Sequence, residues 1–213
     1  MKTKIVIADD HPIVLAGIAD LVDRDPRFQV VGQAQDPAGL VELAQQHAPD
    51  IIITDYSMPG DERMGDGIKL ISYLTRNFPD TRVLILTMVS NPSIVAEMYR
   101  AGASGVVRKS GNLNELDGAL TSLLAQRIYR SPELPREETV PEAGEPTSAA
   151  TLSPREFEVI RLFASGQSVG DIARALNRSS KTVSTQKISA MRKLGTRTDQ
   201  ELVAFCLESG LFG

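Results

Sequence analysis

The 213-residue sequence is 42% hydrophobic and 23% charged, enough apolar material to bury a core in one large domain or two small ones. Its single cysteine, Cys206, excludes an internal disulfide and a cysteine-built metal cluster, and it stands in the apolar run 202–207 as a packing residue. The chain enters an apolar strand pattern directly, with neither a secretory apolar region nor a membrane-length run, so a cytoplasmic protein without a membrane partner is expected. The net charge of −4 argues against nucleic acid only until it is divided. Residues 151–213 hold nine Lys/Arg against six Asp/Glu, a balance of +3, which leaves −7 on the first 150 residues. Such a split predicts two modules with different partners.

In chain order, β-branched runs near 4–8, 28–33, 50–55, 82–87 and 105–108 predict strands. Amphipathic stretches near 12–24, 37–47, 67–77, 92–101 and 112–126 predict the helices between them. The strand runs are almost continuously apolar, as in parallel strands covered on both faces. The expected fold class is therefore α/β, a (βα)5 doubly wound parallel sheet in the order 2-1-3-4-5, over residues 1–126. Residues 127–150 contain four prolines, five glutamates and few large apolar residues, which predicts a flexible linker. Residues 151–213 open on Ser153-Pro154-Arg155-Glu156, a capping box with proline in the first turn. Helices to about 164, then near 169–176, 181–194 and 199–209, predict an all-α four-helix domain containing a helix-turn-helix.

The polar residues at four strand ends carry the first module's chemistry. Asp9 and Asp10 follow 4–8, Asp55 ends 51–55, Thr87 ends 83–87, and Lys109 follows 105–108. In an open parallel sheet these ends face one crevice. Each residue alone has a plain structural reading, since aspartate at a strand end often caps the next helix. Adjacent Asp9 and Asp10 repel unless a cation relieves them, and Mg²⁺ suits carboxylates combined with phosphate oxygens. Asp55 is the candidate nucleophile for an acyl phosphate; Thr87 would hydrogen-bond the phosphoryl group and Lys109 would offset its charge.

These residues, with Asp9-Asp10-His11-Pro12 and Asp55-Tyr56-Ser57-Met58-Pro59-Gly60, resemble the receiver domain of two-component response regulators over about 1–126. The resemblance implies phosphorylation of Asp55 by a histidine kinase or phosphotransfer protein, and Mg²⁺ held by Asp9, Asp10, Asp55 and the Ser57 backbone carbonyl. His11 carries no role from the family and is expected to be a loop residue, and His47 a helix-surface position. One position departs from the pattern: Val106 stands three residues before Lys109, where family receivers usually carry an aromatic switch. An enzyme with an aspartyl-phosphate intermediate would need a general acid two residues past its nucleophile, and position 57 is serine, so no enzyme is expected.

In the second module, Val183, Ala190, Met191 and Leu194 form a helical stripe that predicts the buried face of the third helix. That turns Lys181, Ser184, Thr185, Ile188 and Arg192 outward, with Lys187 at the stripe's edge. Ser184 and Thr185 can hydrogen-bond bases, Ile188 can meet a thymine methyl, and Lys181, Lys187 and Arg192 suit phosphates. With Leu152–Glu156, Ala164-Ser165-Gly166, Lys181-Thr182-Val183 and Arg192–Gly195, the segment resembles the NarL/FixJ, LuxR-type DNA-binding domain. The two resemblances together imply a transcription regulator on double-stranded DNA, acting as a homodimer or as a heterodimer with auxiliary regulators. The alternative is a phosphorylation-independent factor whose receiver is a dimerisation scaffold, a reading that Val106 keeps open.

Overall fold

A computed structural model describes residues 2–58, 67–89, 91–109, 113–132, 134 and 152–208. It divides into two compact units, Met1–Thr87 with Glu97–Leu134, and Met88–Ala96 with Pro135–Gly213.

In the first unit, β1 (Thr3–Ala8), β2 (Phe28–Ala34), β3 (Ile51–Asp55), β4 (Arg82–Thr87) and β5 (Gly105–Arg108) form a parallel sheet. Between them along the chain run α1 (Pro12–Asp23), α2 (Pro37–His47), α3 (Ile68–Asn77) and α4 (Pro92–Arg100), of which the part from Glu97 belongs to this unit, and α5 (Leu113–Leu124) follows β5. The order is the expected 2-1-3-4-5 with one addition at the edge, β6 (Tyr129–Arg130), paired parallel to β5. Thus the expected linker 127–150 does not begin as free chain. Tyr129 crosses from Gly105, and Ser131 and Leu134 are buried. Ile128, ahead of them, keeps 60% of its surface; the part from 135 to 150 lies outside the described residues.

Alternate strand residues bury opposite faces, which is why the runs read as continuously apolar. Ile5, Ile7, Ile51, Ile53, Leu84, Leu86 and Val107 pack with Leu15, Ile18 and Val22 of α1 and Leu116, Leu120 and Leu123 of α5. Val6, Ile52, Val83, Ile85 and Val106 point the other way and are equally buried. Burial on both faces fixes the register, because a one-residue slip would exchange the two sets.

In the second unit lie α6 (Pro154–Ala164), α7 (Val169–Ala175), α8 (Ser180–Leu194) and α9 (Asp199–Glu208). Ser153 closes the expected capping box, accepting from the Glu156 amide while Glu156 accepts from the Ser153 amide. Ser168 and Asp171 repeat it at α7, and Ser179 caps α8 by accepting from the Thr182 amide at 3.1 Å. Asn177, at φ 52°, makes the tight turn between α7 and α8, and Gly195, at φ 73°, stops α8. Val159, Leu162, Ile172, Ala173 and Val183 form the core that holds α6, α7 and α8 together.

Candidate functional site

Main-chain hydrogen bonds align the strand ends of the first unit. The Tyr56 amide donates to the Leu86 carbonyl at 2.9 Å, and the Lys109 amide donates to the Thr87 carbonyl at 2.9 Å. With the strands in that register, Lys109 Nζ stands 2.8 Å from Asp9 Oδ2 and 2.8 Å from Asp55 Oδ2. Asp9, Asp55 and Thr87 are buried, and the Lys109 side chain keeps 15% of its surface. Asp10, half-buried, ends the row. His11, expected as a bystander, is the cap residue before α1, and its Nδ1 lies 2.7 Å from Asp10 Oδ1 and 3.3 Å from Asp9 Oδ1. A residue-type rule had no signal for it, because its placement depends on how the chain leaves β1.

Burial pushes the Asp55 carboxyl pKa up, Lys109 opposes that, and the neighbouring Asp9 charge reinforces it. For Lys109, burial works against the ammonium, but Asp55 and Asp9 outweigh it and its pKa is raised. Asp9 and Asp55 thus share one ammonium while Asp10 stands beside Asp9 without it, an excess of negative charge that a divalent cation would offset. Asp9 Oδ2 and Asp10 Oδ1 are buried, the first with Lys109 Nζ at 2.8 Å and the second with His11 Nδ1 at 2.7 Å. Hard carboxylate oxygens grouped this closely fit Mg²⁺.

On α8, Val183, Ala190 and Leu194 are buried as expected, while Met191 is only half-buried. Lys181, Thr185 and Arg192 are exposed, Ile188 keeps 55% of its surface, and Ser184 is half-buried. The Thr185 hydroxyl donates to the Lys181 carbonyl at 2.9 Å, so it faces outward as an acceptor and a methyl. Lys187, expected at the stripe's edge, is half-buried there. Its Nζ donates to both Asp199 oxygens, at 2.7 and 2.9 Å, and lies 4.2 Å from the Phe163 ring centroid. At the stripe's edge a long lysine stem follows apolar surface, and here its head meets the first residue of α9.

A second polar cluster fixes α8 against α6. Glu156 Oε1 accepts from the Ser189 hydroxyl at 2.7 Å, and Oε2 accepts from Lys193 Nζ at 2.7 Å. Burial disfavours the Glu156 charge, but these bonds and those from Ser153 outweigh it and hold the carboxyl down at about 2.

Residues 5–121 match the response regulator receiver domain, and residues 150–206 match the luxR family of bacterial regulatory proteins. The chain belongs to the LuxR-type response regulators. The regulator is 41% identical to the transcriptional regulatory protein RcsB of Salmonella typhi over 206 residues, covering 94% of this chain and 92% of that protein. It is similar to RcsB from Salmonella enterica serovar Typhimurium bound to promoter rprA in the presence of phosphomimetic BeF3⁻, with TM-score 0.77, 40% identity, and 96% and 98% of the two chains covered. A structure of two RcsB dimers bound to two parallel DNAs matches with TM-score 0.74 and 38% identity, over 96% of this chain and 98% of that one. Among the described residues no helix is long and apolar enough to cross a membrane.

Proposed function

We propose that phosphorylation of Asp55 switches this regulator between states that differ in dimerisation and in sequence-specific DNA binding. The observation that carries the reading is the row of Asp9, Asp10, Asp55 and Lys109 at the strand ends, with Thr87 beside it. A Asp55 oxygen attacks the phosphorus of a phosphohistidine on a kinase or phosphotransfer protein, the P–N bond breaks, and the imidazole leaves with its electron pair. Lys109, already 2.8 Å from Asp55, follows the negative charge onto the phosphoryl oxygens. Thr87 supplies a hydroxyl to one of them. Asp9, Asp10, Asp55 and the Ser57 carbonyl would hold Mg²⁺, which supplies positive charge to the transferring group.

On the output side, α8 enters the major groove, with Ser184, Thr185 and Ile188 over base edges and Lys181 and Arg192 on phosphates. Thr185, its proton held by the helix, is suited to accept from an adenine or cytosine amino group, and Ile188 to cover a thymine methyl. Lys187, held by Asp199, would have to exchange that partner for a phosphate to join them. The known RcsB–DNA and dimer structures support a homodimer on double-stranded DNA, and a heterodimer with an auxiliary regulator is a second assembly open to it. Such a regulator works in the cytoplasm, where its DNA and its phosphodonor meet.

A promoter-fragment binding titration with and without a small phosphodonor and Mg²⁺ tests this. Wild type should gain affinity on phosphorylation, and Asp55→Ala should show none of that gain. Equal affinities for treated wild type and Asp55→Ala would leave the receiver as a dimerisation scaffold.

A further inference from the structure

Val106, at the β5 position where family receivers usually carry the switch aromatic, is fully buried. A phenol reaches the same spot from α4. Tyr99, next to last in α4, donates its hydroxyl to the Tyr129 carbonyl of β6 at 2.8 Å, and the Val106 main chain hydrogen-bonds the Tyr99 phenol oxygen. The Arg130 guanidinium lies 4.7 Å from the Tyr99 ring centroid. The Tyr129 amide donates to the Ser104 carbonyl at 2.9 Å, and its hydroxyl donates to Glu115 Oε1 at 3.4 Å. Gly105 makes room for this edge. A Cβ there would stand 2.7 Å from Leu84 Cδ1 and 3.2 Å from Tyr129 Cβ.

A two-residue edge strand is too short to hold itself by pairing alone, so its docking depends on side-chain ties. The tie from Tyr99 comes from α4, the element that follows β4, and β4 ends at Thr87 in the phosphoryl site. Beyond β6 the chain runs on towards the second unit. Tyr99 therefore connects the element after Thr87 to the point where the receiver ends.

We propose that Tyr99, through its bond to β6, does in this receiver the signalling work that a β5 aromatic does in its relatives. A shift of Thr87 and α4 towards the phosphoryl group breaks the Tyr99–Tyr129 bond and releases β6, so the tether to the DNA-binding module starts further back along the chain. This rests on phosphorylation at Asp55.

The test uses the full chain with Mg²⁺ and beryllofluoride, following two signals separately. The fluorine resonance of bound beryllofluoride reports occupancy at Asp55, and amide hydrogen exchange at Tyr129 and Arg130 reports the docking of β6. In wild type, occupancy should speed exchange at these amides roughly tenfold, as expected for a lost tie on a marginal strand. Tyr99→Phe keeps the ring under Arg130 but lacks the hydroxyl. It should bind beryllofluoride, exchange fast before it is added, and lose most of the beryllofluoride-dependent gain in DNA affinity. Gly105→Ala, whose methyl crowds Leu84 first and Tyr129 second, should likewise loosen β6 before beryllofluoride is added. Unchanged exchange at Tyr129 in occupied wild type, or a full DNA response in Tyr99→Phe, overturns the proposal. Absence of bound beryllofluoride in wild type overturns the phosphoryl reading of Asp55 itself, and this proposal with it.

Discussion

Two side chains on or beside α8 have roles that their residue type alone does not reveal. Glu156 caps α6 and also ties it to Ser189 and Lys193 of α8. Its carboxyl is held down at about 2 against an ordinary value of 4.5, so its ionised form contributes stability above pH 4.5 that is lost as the pH falls towards 2. Glu156→Gln should therefore melt lower than wild type at neutral pH, and the gap should narrow across that acid window in thermal scans. A constant gap would assign the loss to packing alone. Lys187 invites a different measurement. Each phosphate contact removed should lower the slope of log affinity against log salt by about 0.9. Lys181→Ala and Arg192→Ala should each show that change. Lys187→Met should weaken binding with the slope unaltered if its ammonium stays with Asp199 in the complex.

Among the elements, the turn between α7 and α8 aims the outward face of α8. Asn177 holds it at φ 52°, a region that asparagine tolerates and glycine prefers. Asn177→Gly should match or exceed wild-type stability, whereas Asn177→Val should cost about 1–2 kcal/mol in chemical unfolding and weaken DNA binding with it. Arg178 Nη1 donates to Gln186 Oε1 at 3.1 Å just beyond, so a strained turn would also disturb the tie from the turn to the middle of α8. Secondary elements of this kind were largely legible from sequence. Ser153 stands at a helix start as its capping box predicts, and continuous apolar runs mark the strands within a residue or so of their ends. The edge strand β6 escaped notice because two residues carry no periodicity. It exists because Gly105 leaves space, and Tyr99 and Ser104 supply its bonds.

At the scale of the whole molecule, an acidic receiver and a basic helix-turn-helix unit share one chain, the first suited to a phosphodonor and a cation, the second to a polyanion. If the active species is a dimer with paired α8 helices, its two half-sites should lie one helical turn apart, about 10 base pairs between centres, or a multiple of that. Inserting half a turn of DNA between them should remove most of the phosphorylation-dependent affinity in a binding titration, and a full turn should restore part of it. Unaltered binding after the half-turn insertion would point to independent monomers. Affinity that rises steeply with protein concentration on the intact site would accompany the paired mode.

By itself the sequence determined the two modules, the strand order, which polar residues stand at the strand ends and the outward face of α8. Those depend on period, on strand-end position and on charge, all properties of residues near one another in the chain. Tertiary structure decided which partner each charge takes. Lys109 lies between Asp9 and Asp55, His11 turns onto Asp10, Lys187 turns to Asp199, and Tyr99 reaches β6 beside a buried Val106. Each of those side chains is long enough to reach several partners, and only the packed backbone sets which one lies within 3 Å.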